Sequence, residues 1–464
     1  MHQFSDDNEN IPLSKFELML KTNSVYFFDS NEFEEIILYY IDNGKLSLAN
    51  KALQLGLTQH PMSVGLRLIK VELLILEEKL ESAELILDQL QEFEPSNDEV
   101  YIQKATIFSK KGLHKKAIEA LKKALQYTDD DVEIYSMIGM EYLFLDDFDT
   151  ARLNFAKCLD VEYDNYSSLY NVIYCFDMLD QHNEAVNYLV KHIDKDPYSE
   201  VAWHQLGRQY YLIENYEKAL EAFDYAILVD ETFIGAHLEK AKTLEKLKYF
   251  QEAIDYYNAT MDLDTPTPFA YLRIGKCYEQ LNEPKLALEY YNKTVNEDPL
   301  LDKGWLAITD IYIKNSEYQQ ALYYIRKALG IDEENIEYWN KLAEINLKLN
   351  LFDEAVKAYQ KSIDLEDDRL DVYIALADVL HFLENNYKAI EVLNKANKKY
   401  KDHAEIIYRL ACLNYLMQDQ NEAFFLLEKS LKLNFEYHHI IKNIFPSIFL
   451  DQQIISLIEK FKKD

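Results

Sequence analysis

The sequence predicts an all-α protein, a solenoid of stacked helix pairs. Three observations carry that expectation. Glycine and proline are scarce in a chain of 464 residues, ten and nine respectively, while good helix formers are plentiful. Apolar residues recur at helical spacing. Above all, the chain repeats itself every 34 residues, the kind of period expected of repeat architectures.

The repeat is clearest in alanine. Ala49, Ala83, Ala117, Ala151, Ala185, Ala219, Ala253, Ala287, Ala321, Ala355, Ala389 and Ala423 stand in register without insertion or deletion. From the third repeat on, twelve residues before this column lies a mostly small one: Ala105, Gly139, Ile173, Gly207, Ala241, Gly275, Thr309, Ala343, Ala377 and Ala411. Sixteen before it lies an aromatic one, with Phe33, Tyr101, Tyr135, Tyr271, Tyr373 and all three tryptophans, Trp203, Trp305 and Trp339. Prolines recur twelve residues after the alanine, at Pro61, Pro95, Pro197 and Pro299.

Each unit reads as two helices. Trp203, Leu206, Gly207 and Tyr210 follow i, i+3, i+4, i+7, and Ala219, Phe223 and Ala226 follow i, i+4, i+7. Polar breaks such as IENYEK separate the two runs, and a proline or an acidic turn closes the unit. A small residue on each helix is expected where the two cross. Glycine inside a helix costs about 1 kcal/mol relative to alanine, so Gly207 is expected to offset that cost through packing.

These residues closely resemble the tetratricopeptide repeat. The pattern W-x2-L-G-x2-Y appears as Trp203, Leu206, Gly207 and Tyr210, followed by Ala219, Phe223 and Ala226. The resemblance covers residues 30–437 as twelve repeats, and it implies a right-handed superhelical solenoid. Residues 438–464 read as a degenerate capping helix pair interrupted by Pro446. In residues 1–29, Phe16, Met19 and Leu20 mark a short amphipathic helix, and residues 1–10 read as disordered. On this reading none of these residues is expected to form a catalytic domain.

Charge and motifs narrow the function. There are 81 acidic against 49 basic residues, a net charge of −32, which opposes nucleic acid and anionic lipid. No secretory leader and no membrane-spanning apolar run is visible, and the four cysteines lack metal-ligand spacing, which together read as a cytoplasmic protein. No P-loop, G-x-G-x-x-G, H-E-x-x-H or G-x-S-x-G occurs. The expectation is a non-enzyme without cofactor or metal.

What remains is binding. The resemblance implies that the first helix of each unit lines a concave groove. The face about 100° round from its core stripe carries Tyr170 and Tyr174, then His204, Arg208 and Tyr211, then Lys242 with Lys246 beside it, then Lys276. The same column continues as Asp310, Glu344 and Asp378, so three bases precede three acids at 34-residue spacing. The family's carboxylate clamp for chaperone tails is not matched, since its lysine column here reads Tyr170, His204, Leu238 and Leu272.

The leading expectation is a scaffold or adaptor. It would bind a protein segment in the groove, with an acidic portion of that segment on the basic residues. The alternatives are a structural subunit docking or self-associating through its ends or convex face, a regulatory subunit of another enzyme, and a ladder that is only a solvated face.

Overall fold

A computed structural model describes residues 11–22, 25–128 and 130–462. The expected disorder of residues 1–10 lies outside the described residues. Among these the chain forms 28 α-helices and one short 3-10 helix, with no strand. It divides into two compact units, Met1–Glu239 and Lys240–Asp464.

The first unit opens with the helix Ile11–Thr22, whose Phe16 and Met19 are buried. Phe16 meets Phe28 and Phe33 edge-on, with ring centroids 6.0 and 6.3 Å away. Helix pairs follow. First helices begin at Ser30, Val64, Asp98, Asp131, Tyr166 and Glu200, and their partners at Leu46, Leu80, His114, Phe148, His182 and Tyr216. In the second unit first helices begin at Pro268, Asp302, Ile336, Leu370 and Ala404, each followed by its partner from Pro284, Tyr318, Phe352, Asn386 and Gln420. The helix Ile234–Lys246 contains the division, and its partner Phe250–Leu263 lies in the second unit.

Local chemistry explains where the helices start. Ser63, Asn97, Asn165, Ser199, Thr267 and Asn335 each accept a backbone N–H of the first turn with their side chains. The turn inside each pair is equally regular. Its central residue is left-handed, from Gly44 and Gly112 to Asp146, Glu214, Asn282 and Gln418. The next N–H donates back across that turn, as from Lys45 to Tyr40 (2.7 Å), Asn215 to Tyr210 (2.9 Å) and Asp419 to Asn414 (3.0 Å). This is a Schellman termination.

The alanine column is the core, at 0% exposure from Ala49 to Ala389 and 2% at Ala423. The aromatic column is only partly buried at its tryptophans, and each staples the turn before it. The indoles of Trp203 and Trp305 donate to the carbonyls of Pro197 and Pro299 at 2.9 Å, and Trp339 donates to Glu333 at 2.8 Å.

Gly207 differs from the expectation of a bare backbone crossing. Its space is filled by the ring of Phe223: a Cβ there would meet Cε1 at 2.5 Å and Cδ1 at 2.6 Å. Gly139 faces Phe155 and Gly275 faces Tyr291 in the same way.

After the last pair the chain breaks into shorter pieces, Phe435–His438, His439–Ile444, Pro446–Phe449 and Gln452–Phe461. Pro446 heads a helix, where its missing N–H is no loss. Ile441, Phe445, Ile448 and Ile454 from these pieces pack into the core cluster of the preceding repeats.

Candidate partner-binding surface

In the first unit, the helix Tyr166–Met178 buries Leu169, Val172, Ile173 and Phe176. Its other face therefore carries Tyr166, Tyr170 and Tyr174, which are 39, 42 and 48% exposed. They stand one turn apart on one stripe. Tyr174 touches the edge of Phe148, with centroids 6.4 Å apart. One repeat earlier, the exposed Phe144 stacks on His114 at 5.1 Å.

His204 does not belong to an accessible face. It is buried, its ring 5.1 Å from that of Phe233 and 6.0 Å from that of Phe223. The reason is register: the helix Glu200–Leu212 also buries Ala202, Gln205, Leu206 and Gln209, so more than one face is covered. Arg208 is half-buried and donates to Gln205 Oε1 at 3.1 Å. Tyr211 packs edge-on to Tyr216 at 5.4 Å.

In the second unit, the Lys242 ammonium lies 5.6 Å from the centroid of the Phe269 ring, and Lys246 is exposed. Lys276 reaches solvent, yet the protein crowded around its ammonium lowers its pKa, with Arg273 and Lys303 adding and Glu245 and Glu279 opposing. Arg273 grips Glu245 with two bonds of 2.8 and 2.5 Å, and the buried Tyr257 donates to the same carboxylate at 2.5 Å. Tyr291 repeats this one unit later, donating to Glu279 at 2.9 Å, and Lys314 pairs with Glu279 as well.

The acidic half of the ladder is mostly committed within the protein. Asp310 pairs with Lys341 at 2.5 Å. Asp378 accepts two bonds from Arg409, at 2.8 and 2.9 Å, and Glu405 accepts a third at 3.0 Å. Two of the three expected acids therefore tie one repeat to the next. Glu344 is exposed and makes no ion pair among the described residues. The partners Arg273, Lys341 and Arg409 escaped the sequence reading because they lie outside the column that was followed. Their own register, at 34-residue multiples of one another, could have found them.

The four cysteines are buried free thiols, and burial pushes Cys175 up to about 11 and Cys277 up to about 12. Thiols so far from thiolate are poor nucleophiles. No group of three or more potential metal ligands occurs among the described residues, and none of their helices is long and apolar enough to cross a membrane.

Comparison with known proteins agrees with this helix-pair repeat. Family models of the tetratricopeptide repeat match residues 98–131, 132–165, 336–369 and 370–398, and a second such model matches 269–300. Anaphase-promoting complex subunit 3 of Schizosaccharomyces pombe is 23% identical over 163 residues, which is 35% of this chain and 24% of that protein. The chain thus matches only a quarter of that relative's length. Among solved structures, a tetratricopeptide repeat protein from Parabacteroides merdae is 18% identical, covering 54% of this chain and 99% of its own, with a TM-score of 0.39. A structure of the APC/C hetero-tetramer Cut9-Hcn1 is 15% identical, covering 86% of this chain and 92% of the matched chain, with a TM-score of 0.36. The structure of YrrB, described as a TPR protein with an unusual peptide-binding site, is 16% identical, covering 40% and 96%, with a TM-score of 0.34.

Proposed function

Since the chain is a tetratricopeptide repeat protein, a class of protein-interaction scaffolds, we propose that it holds a partner's segment against the face formed by its first helices. It does so without chemistry of its own. The observation that carries this reading is the Tyr166, Tyr170 and Tyr174 stripe, three large side chains 39 to 48% exposed on one helix face. Tyrosine suits an interface anchor: it offers wide contact area, few rotatable bonds and a polar tip. In the first unit these rings are the anchor, with Arg208 and Tyr211 on the following repeat. In the second unit Lys242, Lys246 and Lys276 receive an acidic portion of the partner. The buried free thiols are in keeping with a cytoplasmic setting.

The test is capture of partners from native lysate by the full chain, with mass spectrometry, against Tyr170→Ala/Tyr174→Ala. Both rings are close to half exposed, so the circular dichroism spectrum should not change. Loss of the captured partner is expected. Undiminished capture would refute the stripe as the anchor.

A second reading, docking through the outer, second-helix side, has its own observation. A cavity of about 300 Å³ opens where the second helices His182–Lys195 and Tyr216–Val229 flank the first helix Glu200–Leu212, against Val190, Trp203, Tyr210 and Tyr225, and one of about 250 Å³ recurs three repeats earlier around Tyr101, Phe108 and Lys123. The relative that is a subunit of the anaphase-promoting complex is in keeping with such a role in an assembly.

A further inference from the structure

An open cavity of about 600 Å³ lies in the second unit against the first helices Leu370–Phe382 and Ala404–Leu416. Its floor is apolar, made by Leu370, Ile374 and Ala375, and its rim carries Asp371, Asp378, Glu405 and Arg369. We propose that this cavity takes an arginine side chain of a partner protein's extended segment. The reading rests on the first-helix face being where a partner lies, and it names the chemistry that one part of that face selects.

Charge decides the occupant. Both nearby cations are already matched. Arg369 is held by Asp367, through Nε at 3.2 Å and Nη2 at 3.1 Å. Arg409, which is 5% exposed, is held by Asp378 and Glu405. Four carboxylates therefore stand against two guanidinium groups, leaving two negative charges uncompensated. One is Asp371, exposed at the rim and without an ion pair among the described residues. The other is shared by Asp378 and Glu405.

Geometry favours a guanidinium. Arg409 fixes the Asp378 carboxylate from behind with two bonds, so its direction is set before any ligand arrives. Each carboxylate oxygen has two acceptor sites, and one bond to Arg409 leaves each Asp378 oxygen a second. Those remaining sites diverge, so an incoming guanidinium bonds a single Asp378 oxygen and turns its other donors, spread over a plane, to the neighbouring carboxylates of the rim, which a point charge does less well. The floor suits the rest of the side chain, because the methylene stem of arginine packs on apolar surface while its head stays with the acids. The volume admits one such side chain and the backbone that carries it. An acidic side chain placed here would meet a rim whose carboxylates outnumber its one guanidinium, Arg369.

The probe is Nα-acetyl-arginine N-methylamide, titrated into the full chain carrying 13C-labelled isoleucine δ1 methyls. The expected result is a saturable shift of the Ile374 methyl, with a dissociation constant on the order of millimolar, as suits one anchoring side chain. The uncharged isostere, Nα-acetyl-citrulline N-methylamide, should bind at least about tenfold more weakly. Asp371→Asn should weaken the arginine probe about fivefold, and about 0.5 M salt should weaken it further. Asp371 is exposed, so its replacement leaves the fold intact. Equal response to arginine and citrulline, absence of a saturable shift at Ile374, or indifference to Asp371→Asn would each overturn the proposal. The lysate experiment fails separately. A partner lost with the tyrosine variant but no arginine response sinks this site alone. An arginine response with capture unaffected by the tyrosine variant sinks the tyrosine anchor alone.

Discussion

Replacing Gly207 by alanine should destabilise this protein, although alanine is the better helix former. The substitution removes a helix-propensity penalty of about 1 kcal/mol. Against that, the new methyl would stand 2.5 to 2.8 Å from three carbons of the Phe223 ring, where non-bonded carbons prefer about 3.5–4.0 Å. The ring must withdraw by about 1 Å, and it is fully buried, so its neighbours must move too. Overpacking of this kind costs about 1–3 kcal/mol. The net expectation is a loss of about 1 kcal/mol. The compensating change can be read from the chain itself. Three repeats pair an alanine at this position with a facing leucine, Ala105 with Leu121, Ala377 with Leu393 and Ala411 with Leu427. Phe223→Leu alone should lose packing and destabilise, while Gly207→Ala/Phe223→Leu together should recover part of both losses, a coupling of about 1–2 kcal/mol. The assay is urea unfolding followed by circular dichroism, with hydrogen exchange of the helix Glu200–Leu212 as the local readout, because repeat arrays need not unfold as one unit. Stabilisation by Gly207→Ala, or two additive single changes, would refute the argument that glycine is there to admit the ring.

The left-handed turn residues offer a gain instead: Glu214 and Glu384 sit at φ 61° and 59° and are exposed, so Glu214→Gly or Glu384→Gly should each raise stability by about 0.5–1 kcal/mol, and a lowered melting temperature would contradict this. His192 is buried where the equivalent positions hold small residues such as Ala226, Thr260 and Thr294, and burial depresses its pKa below the usual 6.5, with Lys195 adding and Asp196 opposing. The unfolded chain therefore takes up the proton first as pH falls, so stability should be full above about pH 6.5 and decline on acidification through the lower, folded value; His192→Thr should flatten the slope of melting temperature between about pH 7.5 and 5.5. Arg409→Met should cost about 2–3 kcal/mol, below the full penalty for breaking a buried pair because the carboxylates of Asp378 and Glu405 are 30 and 26% exposed; an unchanged urea midpoint would show that the tie between these repeats is idle.

The periodic part of this fold was legible because each unit repeats the same packing problem. An alanine at the closest helix contact cannot be enlarged without strain, so one residue type survives at every position from Ala49 to Ala423, and the spacing betrays it. The turn inside each pair was less legible. Only Gly44 and Gly112 carry the glycine that signals a left-handed residue, while Glu78, Lys248 and Ser316 adopt the same conformation with side chains that disfavour it. The surrounding hydrogen bonds and packing over-determine the turn, so the sequence need not declare it. The candidate surface was half legible for a related reason. Exposure of Tyr170 and Tyr174 follows from the face they occupy, but His204 shares a column with Tyr170 and is buried, because Phe233 in the following turn closes over it. The acids show the same limit. A column of like charge at fixed spacing reads as a ligand ladder, yet Lys341 lies 31 residues after Asp310, and Arg409 31 after Asp378. That offset returns each cation to the neighbouring first helix, where a charge pair binds repeat to repeat. A periodic sequence specifies which positions face one another across repeats. Whether a charge there meets a partner protein or its own neighbour depends on a second column, and the two must be read together. The cavity beside Asp371 follows from that joint reading: Arg409 draws Asp378 and Glu405 inward, and the charge left over at the rim is what a ligand would meet.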